Sequence, residues 1–331
     1  MVLIFSNDFE VNTPNVIDWL IHYKAEYIRI NFDDGFTEEL SVNIDNSTPT
    51  PEFVIKYKGN EINSKDIKSF WYRRGSIPPL RKQSSTNIFN SRIFNNKLAS
   101  YLELEYKVLV QFMHDLLDDI PIRLGSRLTA SVNKLKVLKL AIEIGIQVPD
   151  TLITTSTSKI RVLKNKHKGI ITKAIDNLFI AEKFGRRMLF YTEELSEATI
   201  DELPETIFPS LIQEKLEKKY ELRIFYLNGE FYPMAIFSQQ DETTTVDFRN
   251  YNMQKPNRTV PFNLPEAIKE KLTILMDRLS LQTGSIDIVV TTKNEYVFLE
   301  VNPVGQFAQV AGPCNYPLYR KIAQYLSSYE H

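Results

Sequence analysis

The sequence predicts a mixed α/β (α+β) protein with more than one packed unit. Three observations carry this. The first 32 residues alternate apolar strand, helix and strand, a βαβ-like order. The chain has 331 residues, enough for two or three cores. Its C-terminal third holds two hairpins of strongly apolar strands.

The elements follow in order. MVLIF (1–5) reads as a buried strand. A helix over about 14–25 carries Pro14 in its first turn, where a missing N–H costs nothing. YIRINF (27–32) is a second strand. FVIKYKGNEIN (53–63) reads as a hairpin around Gly59-Asn60, and SFWYRRG (69–75) as a strand with packed aromatic residues Trp71 and Tyr72. A long helix is expected from about 92 to 118. Near Pro121 the pattern changes. In SVNKLKVLKLAIEIGIQVP (131–149), Leu135, Leu138, Ala141 and Ile142 have helical spacing, Gly145 is placed to end the helix and Pro149 lies beyond it. GIITKAI (169–175) is a strand, and FIAEKFGRRMLFY (179–191) a hairpin turning near Gly185. SLIQEKL (210–216) is a strand running into a polar segment. ELRIFYLNGEFYPMAIF (221–237) is a hairpin, since Asn228-Gly229 suits a type I′ turn. A helix at about 265–282 leads to GSIDIVVT (284–291), a turn at Lys293-Asn294 and YVFLEVNP (296–303).

Composition excludes several classes. The chain is 43% hydrophobic and 24% charged, with net charge −1, so no basic field recruits nucleic acid or anionic lipid. One cysteine, Cys314, allows no intrachain disulfide. No apolar run reaches the roughly 18 residues of a membrane span. MVLIFSNDFE lacks the basic start and long apolar stretch of a signal peptide, and the expectation is a soluble cytoplasmic protein. His22, His114, His167 and His331 lack metal-ligand spacing and read as solvated or packed residues. Neither a G-x-S-x-G elbow nor a GxxxxGK[ST] loop occurs. KNKHK (164–168) reads as an exposed loop and TEELSEATIDELPE (192–205) as a solvated acidic face.

The chemistry concentrates in the final hairpins. Glu300 and Asn302 alternate onto one face of a strand with Val301 opposing them, and Asp287 lies on the preceding strand between Ile286 and Ile288. Two carboxylates and one amide oxygen form a hard-oxygen set suited to Mg²⁺ with phosphate oxygens. An apolar strand tolerates such groups when cations sit between them. In ELRIF, Glu221 and Arg223 share a face while Leu222 and Ile224 turn to the core. An acid there can accept from ribose hydroxyls and an arginine can hold a phosphate. The strand end at Gln213, Glu214 and Leu216 offers backbone groups to an adenine edge, and Lys134 and Lys173 are point charges for phosphates.

In order, N-K-L-K…I-G-I-Q-V-P-D-T, I-T-K, Q-E-K…Y-E-L-R-I-F and D-I-V-V…F-L-E-V-N-P resemble the ATP-grasp ligases over residues 120–310. The N-terminal SFWYRRG and the segment VDFRNYN (246–252) are similar to those of the graspetide (microviridin-type) peptide ligases. The resemblance implies an ATP-grasp fold in three parts: an N-terminal pre-ATP-grasp domain (1–120), a central subdomain (121–207) and a C-terminal subdomain (208–331). It implies ATP and Mg²⁺ as cofactors, with Asp287, Glu300 and Asn302 on the metal, Lys134 and Lys173 on phosphates, and Gln213, Glu214, Leu216 and Glu221 on adenosine. Arg223 then serves the γ-phosphate or acyl phosphate, and Asp247 and Arg249 the acceptor side chain. The implied reaction phosphorylates a Glu or Asp of a ribosomally made precursor peptide and closes ester or amide rings. A homodimer, and a helical leader peptide clamped near 192–205, are implied too. The chain departs from many ATP-grasp enzymes in lacking a glycine-rich lid after Lys173; the 179–191 hairpin with Arg186 or Arg187 takes that place in this reading. Two other readings stay open: a carboxylate–amine ligase adding an amino acid to a protein or small acid, and a nucleotide-binding regulator without catalysis.

Overall fold

The computed structural model describes residues 1–47, 50–80, 95–176, 180–183, 186–189, 192–237 and 257–328. The chain divides into two compact units, one comprising Met1–Ser131 with Gln306–Ala308 and Pro317–His331, the other Val132–Gly305 with Gln309–Tyr316.

The first unit opens with β1 (Val2–Ser6), α1 (Thr13–His22) and β2 (Tyr27–Asn31), then β3 (Thr37–Asn43), β4 (Glu52–Tyr57), β5 (Asn60–Asn63), β6 (Ser69–Tyr72), α2 (Asn95–Asp118) and β7 (Ile122–Leu124). A parallel sheet of order β2-β1-β6-β7 forms its centre, and every residue of β1 is buried, as a strand covered on both faces requires. The strand β7 follows Pro121 directly and pairs with β6. A second sheet, β3-β4-β5, was half visible in the sequence. Its hairpin turns at Lys58-Gly59, φ 50° and 74°, one residue before the expected position, because a two-residue loop needs both central residues left-handed.

The second unit contains α3 (Lys134–Ile144), β8 (Thr151–Ser156), α4 (Thr157–Lys166), β9 (Ile170–Lys173), β10 (Ile180–Lys183), β11 (Arg186–Leu189), β12 (Glu193–Glu194), α5 (Glu197–Asp201) and β13 (Thr206–Glu214). It continues with β14 (Lys218–Leu227), β15 (Glu230–Phe237), β16 (Arg258–Pro261), α6 (Glu266–Arg278), β17 (Thr283–Thr291), β18 (Tyr296–Asn302) and α7 (Ala308–Cys314). The last helix, α8 (Leu318–Leu326), packs on α1 and β7 of the first unit through Leu318, Ile322, Ala323 and Leu326. The expected 179–191 hairpin is present as the antiparallel pair β10–β11.

Two antiparallel sheets organise the second unit. The smaller has order β12-β9-β13-β8, with α4 and α5 over a core of Ile160, Leu163, Ile170, Ile200 and Ile212. The larger has order β16-β15-β14-β17-β18, with α3 and α6 over a core that includes Leu222, Ile224, Leu275, Ile286, Ile288 and Phe298. The Asn133 side chain caps α3 by accepting from the Leu135 and Lys136 N–H groups, and Gly145 closes it at φ 79°. The buried stripe of α3 is Val137, Leu138 and Ala141; Leu135 is half-buried and Ile142 is exposed, one position off the expected face. The basic KNKHK run is not a loop: its first three residues are the last turn of α4. Asn228 (φ 43°) and Gly229 (φ 91°) form the expected β14–β15 turn.

Candidate functional site

Three neighbouring strands of the larger sheet build the site. Leu222, Ile224, Ile286 and Ile288 face the core, so Glu221, Arg223 and Asp287 face the other way. Register places Arg223 opposite Asp287 and Asp287 opposite Glu300, giving a row across β14, β17 and β18. Ser285 pairs with Asn302 one step along.

Strict alternation would put Phe298 on the same side as Glu300 and Asn302. A register shift between Asp287 and Ile288 prevents it: Asp287 pairs with Glu300 and Ile288 with Phe298, leaving Leu299 as the extra residue of a bulge. Phe298 and Val301 therefore both enter the core, while Leu299, Glu300 and Asn302 stay on the site face. Past the strand end the Gly305 N–H donates to the Asn302 carbonyl at 3.0 Å. A Cβ on Gly305 would lie 2.1 Å from Ser285 Oγ, so only glycine lets this turn sit against β17.

The charges on this face are paired with one another. Arg223 Nη1 donates to both carboxylate oxygens of Asp287, at 2.9 and 2.7 Å. Burial pushes the Asp287 carboxyl up to about 6; Arg223 opposes that rise and Glu300 adds to it. Lys134 Nζ, at the first residue of α3, lies 3.0 Å from Glu300 Oε2, and Asn302 Nδ2 donates to Glu300 Oε1 at 3.2 Å. Burial alone would raise the Glu300 carboxyl, but Lys134, Lys173 and the Asn302 amide together hold it below its usual range. Lys173, the last residue of β9, thus acts electrostatically on the same acid. Among the described residues no three His, Cys, Asp or Glu side chains converge as a metal site; the third oxygen donor here is an amide. Arg223 Nε is buried without a hydrogen-bond partner among the described residues.

Beside the row, a cavity of about 60 Å³ lies between the ends of the two sheets. Gln213, Glu214, Leu216 and Glu221 all line it, with Val289 and Leu299. The sequence analysis missed Lys218, which also lines it and whose Nζ is 2.8 Å from Glu221 Oε1, both side chains 8% exposed. On a regular strand residues three apart point to opposite faces; a register shift between Lys218 and Tyr220 brings these two together. Glu217-Lys218-Lys219 read only as a polar segment, and no local signal reveals the pairing.

The sequence-predicted residues therefore fall into two adjoining groups. Arg223 holds Asp287, and Lys134 and Asn302 hold Glu300 in the next strand, with Lys173 acting on the same acid. Gln213, Glu214, Leu216 and Glu221 wall the cavity. Asp247 and Arg249 lie outside the described residues, and the side chains of Arg186 and Arg187 are likewise not described.

Two antiparallel sheets that meet at a cavity, with an arginine–carboxylate–amide row beside it, define an ATP-grasp fold. Residues 131–326 match the RimK-like ATP-grasp domain, more than half of the chain, and the protein belongs to that family. Residues 1–99 match the MvdD pre-ATP grasp domain. Comparison with curated protein sequences finds no match. Among solved structures the fold is similar to a Chryseobacterium gregarium RiPP-associated ATP-grasp ligase in complex with ADP and a leader and core peptide. The TM-score is 0.79 and the identity 23%, covering 99% of this chain and 96% of that one. It is also similar to macrocyclase MdnC from Microcystis aeruginosa MRC, bound with precursor peptide MdnA (TM-score 0.75, 23% identity, 99% of each chain). A third likeness is to ATP-grasp ligase PsnB complexed with a phosphomimetic variant of a minimal precursor, Mg and ADP (TM-score 0.68, 15% identity, 100% and 98% covered).

Proposed function

We propose that this protein is an ATP-dependent peptide macrocyclase. It transfers the γ-phosphoryl group of ATP to a Glu or Asp side chain of a ribosomally made precursor peptide. A Thr or Ser hydroxyl, or a Lys amine, of the same peptide then displaces phosphate, closing an ester or amide ring; ADP and phosphate leave. The observation that carries this reading is the row Arg223–Asp287–Glu300, with Lys134 and Asn302, beside the cavity walled by Gln213, Glu214, Leu216 and Glu221. The likeness of nearly the whole chain to a ligase in complex with ADP and a leader and core peptide, and to a macrocyclase bound with its precursor peptide, supports it.

Asp287, Glu300 and Asn302 would hold Mg²⁺. They fit it, because the donors are all oxygen and the register sets Asp287 opposite Glu300 with Asn302 beside them. When bound, the ion neutralises charge on the phosphoryl group in transfer. Arg223 orients the γ-phosphate or acyl phosphate by charge-assisted hydrogen bonds, and Lys134 and Lys173 add point charges for the phosphates. The end of β13 offers backbone groups to adenine, and Glu221 accepts from the ribose. Asp247 and Arg249 place the acceptor side chain. No enzyme nucleophile is needed, since positioning and electrostatics supply the acceleration. In the same reading the chain works in the cytoplasm as a homodimer with the three-part division given above, and 192–205 borders the leader-peptide clamp. No described helix is long and apolar enough to cross a membrane.

The test is ADP release by the purified protein with ATP and Mg²⁺, with and without a candidate precursor peptide made of a leader and a core rich in Thr and Glu. Release that rises with the peptide is expected. A peptide-independent rate would contradict the reading.

A further inference from the structure

We infer that His167 is a positioning residue for the nucleotide cavity, acting through Glu214. The inference rests on the ATP-dependent reading above and deepens it. The imidazole stands between two carboxylates: Nε2 is 2.9 Å from Asp150 Oδ2 and Nδ1 is 3.2 Å from Glu214 Oε2. The Nε2 contact is a hydrogen bond to a carboxylate, which only accepts; the Nδ1 contact is an ion pair when the ring is protonated. The other oxygen of Glu214 accepts the Asp150 N–H at 3.0 Å. Asp150 is bound in turn by Lys166 Nζ.

Both carboxylate oxygens of Glu214 are thus engaged by groups just before β8 and just after α4. Its contribution to the cavity wall is therefore through the backbone. That backbone is strapped at two successive residues, with a side-chain tie just before them. The Gln213 side-chain Nε2 donates to Thr151 Oγ1 at 2.8 Å, the Glu214 N–H to the Asp150 carbonyl at 3.0 Å, and the Lys215 N–H to the Gly169 carbonyl at 2.9 Å. A charged clasp sets the place of the β13 end, against which a purine edge would lie. The side chain is packed, as expected, and its packing neighbours are two acids.

Calorimetric titration of the full-length protein with ADP tests the clasp. His167→Ala is expected to weaken binding about fivefold, the upper worth of an ion pair that keeps a solvent edge. His167→Arg, a cation with several N–H donors, should recover most of the affinity. In turnover the loss should fall on the KM for ATP rather than on kcat. In a Glu214→Gln background His167→Ala should cost little more, since both act through one contact. Wild-type affinity in His167→Ala, or additive losses in the double variant, overturns the inference. If His167→Ala does not fold, His167→Gln, which can donate to only one of the carboxylates, decides between the same outcomes. Failure of the wild type to bind ADP overturns the ATP-dependent reading itself.

Discussion

Arg73 with Glu10 in the first unit, and Arg223 with Asp287 in the second, are the same chemical pair in two settings. Arg73 Nη2 meets Glu10 Oε2 at 3.1 Å, the Glu10 side chain is fully buried, and Asn12 N–H donates to its other oxygen. The rings of Trp71 and Phe307 face the guanidinium at 5.7 and 5.2 Å. In the second unit the pair keeps an 11% exposed edge and has a further acid, Glu300, beside it, itself held by Lys134. The first pair is walled in by apolar rings and serves the fold. The second is one link in a row of charges beside a cavity, with two acids flanked by Arg223 and Lys134, where a ligand can exchange for the partners. Burial alone does not separate the two; the neighbours do.

The comparison can be broken at four points. The largest effect belongs to Glu10→Ala, which leaves the buried Arg73 without this carboxylate and should cost about 3–5 kcal/mol of stability by urea denaturation. A loss under about 1 kcal/mol, the value of an exposed pair, would remove the distinction. Next, Glu300→Ala should lower turnover by about 10²–10³-fold with an unchanged circular dichroism spectrum. Retained activity would remove Glu300 from the site. The third test is pH. Asp287 holds its proton more tightly when folded, about 6 against an ordinary 3.8, chiefly because it is buried. The folded state binds the extra proton between those values, so this stabilisation is present at low pH and fades as pH rises through about 6. The stability advantage of the wild type over Asp287→Asn should therefore shrink by roughly 2–3 kcal/mol from about pH 4 to about pH 7. A pH-independent difference would show that Arg223, not burial, governs the acid. The loss of nucleotide affinity in His167→Ala is the smallest of the four.

Much of the frame was legible in the sequence, because local signals set it. Asn228-Gly229 announces the β14–β15 turn, and two-residue alternation puts Glu221 with Arg223 and Glu300 with Asn302. What escaped depends on cross-strand register or on distant partners. The bulge at Leu299 and the shift before Tyr220 leave no local mark, so the Lys218–Glu221 contact could not be foreseen. The helix α4 buries only Thr157, Ile160 and Leu163, too thin a stripe beside its basic end to signal a helix. Asp150 and His167 find Glu214 only because β13 lies between β8 and β9.

Mass spectrometry of a candidate precursor peptide, after incubation with the protein, ATP and Mg²⁺, tests the central claim most directly. The account predicts the loss of one water for each ring closed, with one ADP formed per water lost. A peptide of unchanged mass, or one heavier by an added amino acid, would contradict it.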